Sequence, residues 1–250
     1  VHPQGRTSHH KGIYMTTRKI RSLLLILALV TPALAHAQPS SWSDWRHGAA
    51  GHTLALSDAR RSEQPLVVYF HTDWCPWCRQ LNDRYLRNGA VRSTLSGIQK
   101  VEINPERGNQ ERALFRQYGG SAYPSFYVLV PASGETPVRL SPFRGGREES
   151  LAVFAERIEA AATQHYNRWA LRLHQEGNDV RSLEVLEKSL AHNPSNAYAH
   201  YLRGLIHHKT GDQQRDMGLL REAKSAYERA LSLDPGHQGS QRGYEALRNL

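Results

Sequence analysis

Cysteine is nearly absent from this chain: its 250 residues contain two, Cys75 and Cys78. No third thiol is present to compete in exchange between them, and no all-cysteine metal site can be assembled. Long apolar runs are also missing. A bilayer span takes about 20 such residues, whereas the run Leu23–Val30 is ended by Thr31 and Pro32. Acidic residues are absent from residues 1–37, which hold five basic ones. Elsewhere the composition is ordinary for globular protein. An apolar fraction of 39% and a charged fraction of 22% argue against disorder, and the length suits one large domain or two small ones.

The acid-free N-terminus has the three-part layout of a secretory signal peptide. Arg18, Lys19 and Arg21 precede the apolar run, and Ala35-His36-Ala37 supplies a small-residue cleavage pattern before Gln38. Met15 is the expected start, residues 1–14 being an over-extended beginning, and cleavage is expected after Ala37. Export places the chain in an oxidising compartment. Gln38 offers no sulfur for lipid anchoring. Removing five basic residues leaves 27 against 23 acids, so the net charge falls from +9 to +4. A nucleic-acid role requires a basic stripe with a recognisable reading module, and neither is present.

Residues 38–51 read as a lead-in. "HTLALSDARRSEQ" then predicts a short helix with Leu54, Ala55 and Ala59 on one face. "PLVVYF" predicts a strand, followed by the cysteines and a helix carrying Leu81, Tyr85 and Leu86. "GIQKVEI" predicts a second strand, and "NQERALFRQYG" a helix closed by Gly119. "SFYVLV" and "VRLSPF" predict a strand pair joined across "PASGETP". "REESLAVFAERIEAA" predicts a closing helix that buries Leu151, Phe154 and Ile158. From Tyr166 onward no strand-like run occurs. The boundaries expected are 52–163 for an α/β domain and 164–250 for an all-α region.

Cys75 and Cys78 admit four readings. A c-type haem anchor needs His after the second cysteine, and Arg79 stands there. A zinc site needs four ligands, so two of the 14 histidines would have to complete it, and none shows finger-like spacing. A structural clip across two residues removes little chain entropy. A redox pair has a specific physical basis. With Cys75 at the N-cap of the following helix, unpaired amides and the helix dipole favour thiolate over thiol. Thiolate is the attacking species. Pro76 at the first helical position forfeits an N–H that would be unpaired anyway. Cys78, one turn on, is placed to resolve the mixed disulfide. The redox group would then be the Cys75–Cys78 disulfide itself, with no added cofactor and no metal.

Residues 52–162 resemble a thioredoxin-fold domain. The motif Trp74-Cys75-Pro76-Trp77-Cys78 matches that family's WCxxC hallmark, and "SAYPSFYVL" matches the segment bearing its cis-proline, here Pro124. The resemblance implies that Pro124 lies against the cysteine pair and that the Tyr123 backbone pairs with substrate, with Trp74, Pro76 and Trp77 supporting the site. "FHTDWCPWC" is most similar to exported thioredoxin-like proteins, such as the C-terminal domain of the DsbD-type thiol:disulfide interchange proteins. Glutaredoxins share the Cys-Pro-aromatic-Cys habit, but Gly145 lies 21 residues past Pro124, too far for their Gly-Gly element, and Trp74 favours thioredoxin. One departure stands out. Tyr69 occupies the position where many thioredoxins carry a buried acid that moves protons from the second thiol. Lys100 matches the lysine expected beside that acid, so Cys78 would need water or another group, such as Glu102.

The C-terminal third resembles two tetratricopeptide repeats plus a capping helix. "EVLEKSLAHNPSN" and "SAYERALSLDPGH" echo each other, with Pro194 and Pro235 standing 41 residues apart, seven more than the 34-residue period. Ala170, Gly177, Gly204, Gly211, Ala223, Tyr227 and Ala230 fall at repeat positions once "DQQRDMG" is treated as inserted. Ser182 and Ser189 stand where alanine is expected.

The function these resemblances imply is a periplasmic thiol–disulfide oxidoreductase that reduces or repairs protein disulfides. A membrane thiol reductase would supply its electrons, and the repeats would recruit a protein or peptide. With little linker between Ala162 and Tyr166, the repeats are expected at a fixed angle to the redox face, limiting access to Cys75. The competing reading, from another class, is a peptide- or protein-binding scaffold whose α/β domain is regulatory.

Overall fold

The computed structural model describes residues 43–145 and 147–250. The signal peptide, the start at Met15 and the cleavage after Ala37 lie outside the described residues. Five strands form one mixed sheet in the order β1-β3-β2-β4-β5. They are β1 (Arg46–His47), β2 (Leu66–Phe70), β3 (Gln99–Ile103), β4 (Ser125–Leu129) and β5 (Val138–Leu140). β3 runs parallel to β1 and β2, whereas β4 is antiparallel to both β2 and β5.

β2 is buried at every residue, which explains its unbroken apolar sequence: a central strand covered on both faces has no solvent side to mark with polar residues. Its alternation still sorts the side chains. Leu66, Val68 and Phe70 face a core shared with Val101, Ile103, Tyr127 and Leu129, packed by α1 (Gly48–Ser62) and α4 (Asn109–Gln117). Val67 and Tyr69 join Phe126, Val128, Leu81, Phe154 and Ile158 on the other face. That side is covered by α2 (Pro76–Gln80), α3 (Gly89–Thr94) and α5 (Leu151–Gln175). α2 runs on through a π-helical turn at Leu81–Leu86, which buries Leu81, Tyr85 and Leu86. Gly119 adopts φ 69° just past α4, as a helix-ending glycine does.

Four expectations need correction. The lead-in expected through residue 51 is partly domain: Trp45 is buried, and Arg46–His47 pair with Val101–Glu102. A two-residue strand is too short to show alternation. In α1 the buried stripe is Gly51, His52, Ala55 and Ala59. Leu54, one residue out of that three- and four-residue spacing, is 60% exposed. "VRLSPF" does not form one strand, because Pro142 has no N–H to continue the ladder. Phe143 instead opens a separate hairpin, β6 (Phe143–Arg144) with β7 (Arg147–Glu148).

The fourth correction is at the expected boundary between residues 163 and 164. α5 is a single helix of 25 residues crossing it, about 37 Å long at 1.5 Å per residue. "AATQHYNRWA" contains neither Gly nor Pro, so nothing stops the helix there. α6 (Asp179–His192) packs on α5, α8 (Met217–Leu233) on α7 (Ala197–Gln214), and α9 (Gln238–Ala246) on α8. Gly204 meets Tyr227 so closely that a Cβ would lie 2.8 Å from the ring. Ser182 and Ser189 are fully buried, donating to Ala170 O at 2.7 Å and Asn167 Oδ1 at 2.9 Å. The seven extra residues carry α7 past Gly211 to Gln214 and lengthen α8 to 17 residues, against 14 in α6. The chain is thus an α/β domain followed by an all-helical region.

The helical region is welded to the sheet. Val130, just past β4, shares a core with Tyr166, Ala170, Val185 and Leu202. Tyr166 donates its hydroxyl to Glu63 O at 2.7 Å, and His165 Nε2 lies 3.3 Å from Val128 O. The Glu63 carboxylate pairs with Arg181 and Lys188, and Glu135 with Arg172 at 2.6 Å. Glu63 precedes β2 and Val130 follows the antiparallel β4, so these contacts mark one end of the sheet. Cys75 follows β2 and Pro124 precedes β4, which puts the cysteines at the opposite end. The helical region therefore packs against the end of the sheet away from the cysteines.

Candidate active site

β2 delivers the chain at Phe70 to the loop His71–Trp74, and Cys75 caps α2 in extended conformation (φ −72°, ψ 113°). Its Sγ accepts the Cys78 N–H at 3.1 Å, and Pro76 occupies the first turn. The arrangement expected from sequence is therefore present. A sulfur at this point receives an otherwise unpaired amide, which stabilises a thiolate more than a thiol. Cys75 and Cys78 are joined as a disulfide with Cα atoms 5.2 Å apart, 2% and 1% exposed. Among the described residues, no group of three or more His, Cys, Asp or Glu side chains is placed to hold a metal.

The β2–β4 register sets Phe70 opposite Ser125, bringing Tyr123 and Pro124 beside the cysteine loop. The Tyr123–Pro124 bond is cis. Tyr123 stacks on Phe115 at 4.8 Å and meets the edge of Trp74 at 6.2 Å. Trp74 is 62% exposed, and its indole N–H donates to the Glu106 carboxylate at 3.0 Å. Arg107 pairs with Asp73 at 3.2 Å, so the loop after β3 grips the cysteine loop at two neighbouring residues. On the other flank Trp77, 52% exposed, lies 5.1 Å from Phe143 of the β6–β7 hairpin. Glu106, Arg107 and Phe143 were not legible as site residues, because each reaches the dithiol only through tertiary contact.

Tyr69 lies beneath α2, wholly buried, and donates its hydroxyl to Cys78 O at 3.4 Å. Burial, reinforced by the nearby Glu102 charge, pushes this phenol far above its ordinary range. It remains neutral wherever thiols titrate and does not replace the missing acid as a base. Lys100 is opposite Val67 in the strand register, on the face of the sheet that Tyr69 shares. Its ammonium donates to Leu95 O and Ile98 O at 3.0 and 3.1 Å and pairs with Asp44 at 2.9 Å. Glu102 is opposite Tyr69 in the strand register, but its carboxylate is held by His71 and by His47 at 2.7 Å. Burial pushes Glu102 upward, yet these two hydrogen bonds outweigh it and hold the carboxyl below its usual range.

Residues 53–131 match the family model described as Thioredoxin-like. The thiol:disulfide interchange protein DsbD 1 of Pseudomonas aeruginosa is 25% identical over 136 residues, covering 53% of this chain and 22% of that protein. The chain thus spans only about a fifth of that relative's length. Among solved structures, a DsbH oxidoreductase aligns at TM-score 0.39 and 18% identity, covering 47% of this chain and 83% of that one. A thioredoxin from Thermus thermophilus aligns at 0.37 and 25%, covering 47% and 86%. The oxidised DsbD C-terminal domain of Neisseria meningitidis aligns at 0.37 and 20%, covering 47% and 98%.

Proposed function

We propose, from the premise that residues 53–131 are a thioredoxin-like domain with an intact dithiol, that this chain is a periplasmic thiol–disulfide oxidoreductase. The observation that carries this reading is Cys75 at the helix N-cap, its sulfur accepting the Cys78 amide. In the reducing direction, the Cys75 thiolate attacks one sulfur of a substrate disulfide, and the other sulfur leaves and takes a proton as a thiol. Cys78 then loses its proton to water and attacks Cys75 Sγ, expelling the second substrate sulfur as thiolate. Two electrons have moved from the dithiol to the substrate, and the Cys75–Cys78 disulfide remains. No other cofactor takes part. Tyr123 and Pro124 align the substrate backbone, while Trp74, Pro76 and Trp77 shape the surface around Cys75.

The preferred direction is reduction or repair of protein disulfides. A membrane thiol reductase resets the pair, in keeping with the relative named as an interchange protein. The signal-peptide pattern of residues 15–37 supports export. Among the described residues no helix is long and apolar enough to cross a membrane. The helical hairpins act as tetratricopeptide-like repeats that hold a protein or peptide partner. Their attachment at the end of the sheet away from the cysteines lets a partner sit there without covering the cysteine end.

In a Cys78→Ser variant the mixed disulfide at Cys75 cannot resolve, so covalently trapped proteins should accumulate in periplasmic extracts. The unmodified chain should reduce insulin. If neither trapped species nor insulin reduction is seen, the enzyme reading fails and the scaffold reading takes its place.

A further inference from the structure

A pocket of about 460 Å³ opens on the face of the sheet away from the dithiol helix, between α1, the end of α4 and the loop before β5. That lies within the range of about 300–1,000 Å³ usual for small-molecule sites. Leu56, Leu129 and Pro137 line it with apolar surface, and Tyr118 adds a ring. Two polar features converge there. His52 is 5% exposed, and its Nε2 lies 2.9 Å from the Tyr118 hydroxyl, with the rings edge-on at 5.6 Å. Arg60, an exposed residue one helical turn past Leu56, lines the same pocket. The two acids nearest it in sequence are claimed elsewhere, Asp58 by Arg46 and Arg61, and Glu63 by Arg181 and Lys188. Arg60 itself has no ion-pair partner among the described residues. Burial, helped by the Arg60 charge, holds His52 below the ordinary histidine range. Burial also pushes the Tyr118 phenol up to about 12 against that charge. At neutral pH His52 is therefore uncharged and Tyr118 keeps its hydrogen.

We propose that this pocket binds a small carboxylate with a compact apolar body, such as an aryl or branched aliphatic acid. Each end of such a ligand has its counterpart. The body displaces water from Leu56, Leu129 and Pro137, and the carboxylate meets the unpaired Arg60 guanidinium, whose planar fork matches it. The His52–Tyr118 pair supplies a second donor. With His52 in the tautomer that donates from Nε2 to the Tyr118 oxygen, the Tyr118 O–H is free to donate to the carboxylate. Among the described residues lining the pocket, Arg60 alone is charged at neutral pH, so a cation is repelled and a neutral ligand leaves that charge unanswered. None of these residues takes part in the thiol exchange, and the site stands apart from the oxidoreductase reading.

Isothermal titration calorimetry on the full chain at fixed ionic strength tests the site with three probes. They are phenylacetate, phenylacetamide, which keeps the body without the charge, and acetate, which keeps the charge without the body. Phenylacetate should bind saturably at one per chain. The other two should bind roughly tenfold or more weakly, having lost a charge-assisted contact or a buried ring. Arg60→Gln should weaken phenylacetate roughly tenfold and leave phenylacetamide unchanged. Tyr118→Phe, which keeps the ring, should weaken phenylacetate about three- to tenfold. No saturable binding of phenylacetate to the unmodified protein, equal binding of the three probes, or a phenylacetate affinity unmoved by Arg60→Gln overturns the site.

Discussion

Replacing Tyr69 by Phe isolates the role of the residue that stands where a buried acid was expected. The ring keeps its contacts with Trp45 and Phe126, both at 6.3 Å, and with His71 at 5.2 Å. The hydroxyl's 3.4 Å bond to Cys78 O is lost. That carbonyl still accepts the Leu81 amide, so no buried acceptor is orphaned and the cost is at most about 1 kcal/mol. Because burial and Glu102 keep the phenol neutral, the substitution removes a prop rather than a base. Urea unfolding should show the small stability loss. Stopped-flow reduction of a peptide disulfide should stay within about twofold, with an unchanged pH profile, since general-base contributions of 10²–10⁴ are not at stake. A fall of tenfold or more at full folding, or a displaced pH profile, would show that Tyr69 handles the Cys78 proton and refute this reasoning.

Three further outcomes are expected. Gly204→Ala would set a Cβ 2.8 Å from the Tyr227 ring and 3.2 Å from Ala223 O, so the helical region should lose about 1–3 kcal/mol in urea unfolding; no loss would mean that α7 and α8 are less tightly packed. Burial lowers the pKa of His52, His165 and His200. Each therefore contributes stability that is present above the ordinary histidine pKa of about 6.5 and is lost as pH falls below it, by at most about 1.4 kcal/mol per pH unit per histidine. Unfolding at about pH 5.5 should need less urea than at about pH 7.5, and equal or greater acid stability would contradict the neutral, buried assignment. Glu106→Ala should free the Trp74 indole and alter its fluorescence at a cost of at most about 1 kcal/mol; an unchanged spectrum would mean that Glu106 does not hold it.

Much of the site was legible because its parts are local. Cys75, Pro76 and Cys78 write the N-cap, first and third residues of one helix within four positions of sequence, and Tyr123-Pro124 stands next to a strand marked by its own apolar run. The resemblance supplied the pairing of these two distant segments, which no spacing rule gives. What stayed hidden depends on tertiary register. Glu106 and Phe143 lie 31 and 68 residues from Cys75 on loops without periodicity, and Arg46–His47 form a strand only because β3 offers an edge. Lys100 was placed correctly on its strand, but Asp44 and two carbonyls claim its ammonium. The unbroken α5 could have been read from the lack of Gly and Pro between Ala162 and Tyr166. A change in composition suggested a boundary where the backbone has none.

If Cys75 and Cys78 form a working reductant pair, equilibration of the folded chain against glutathione will reveal it. One two-electron transition is expected near the thioredoxin value of about −270 mV. A transition near about −120 mV, where a strong disulfide donor lies, or no exchange with glutathione at all, would contradict it.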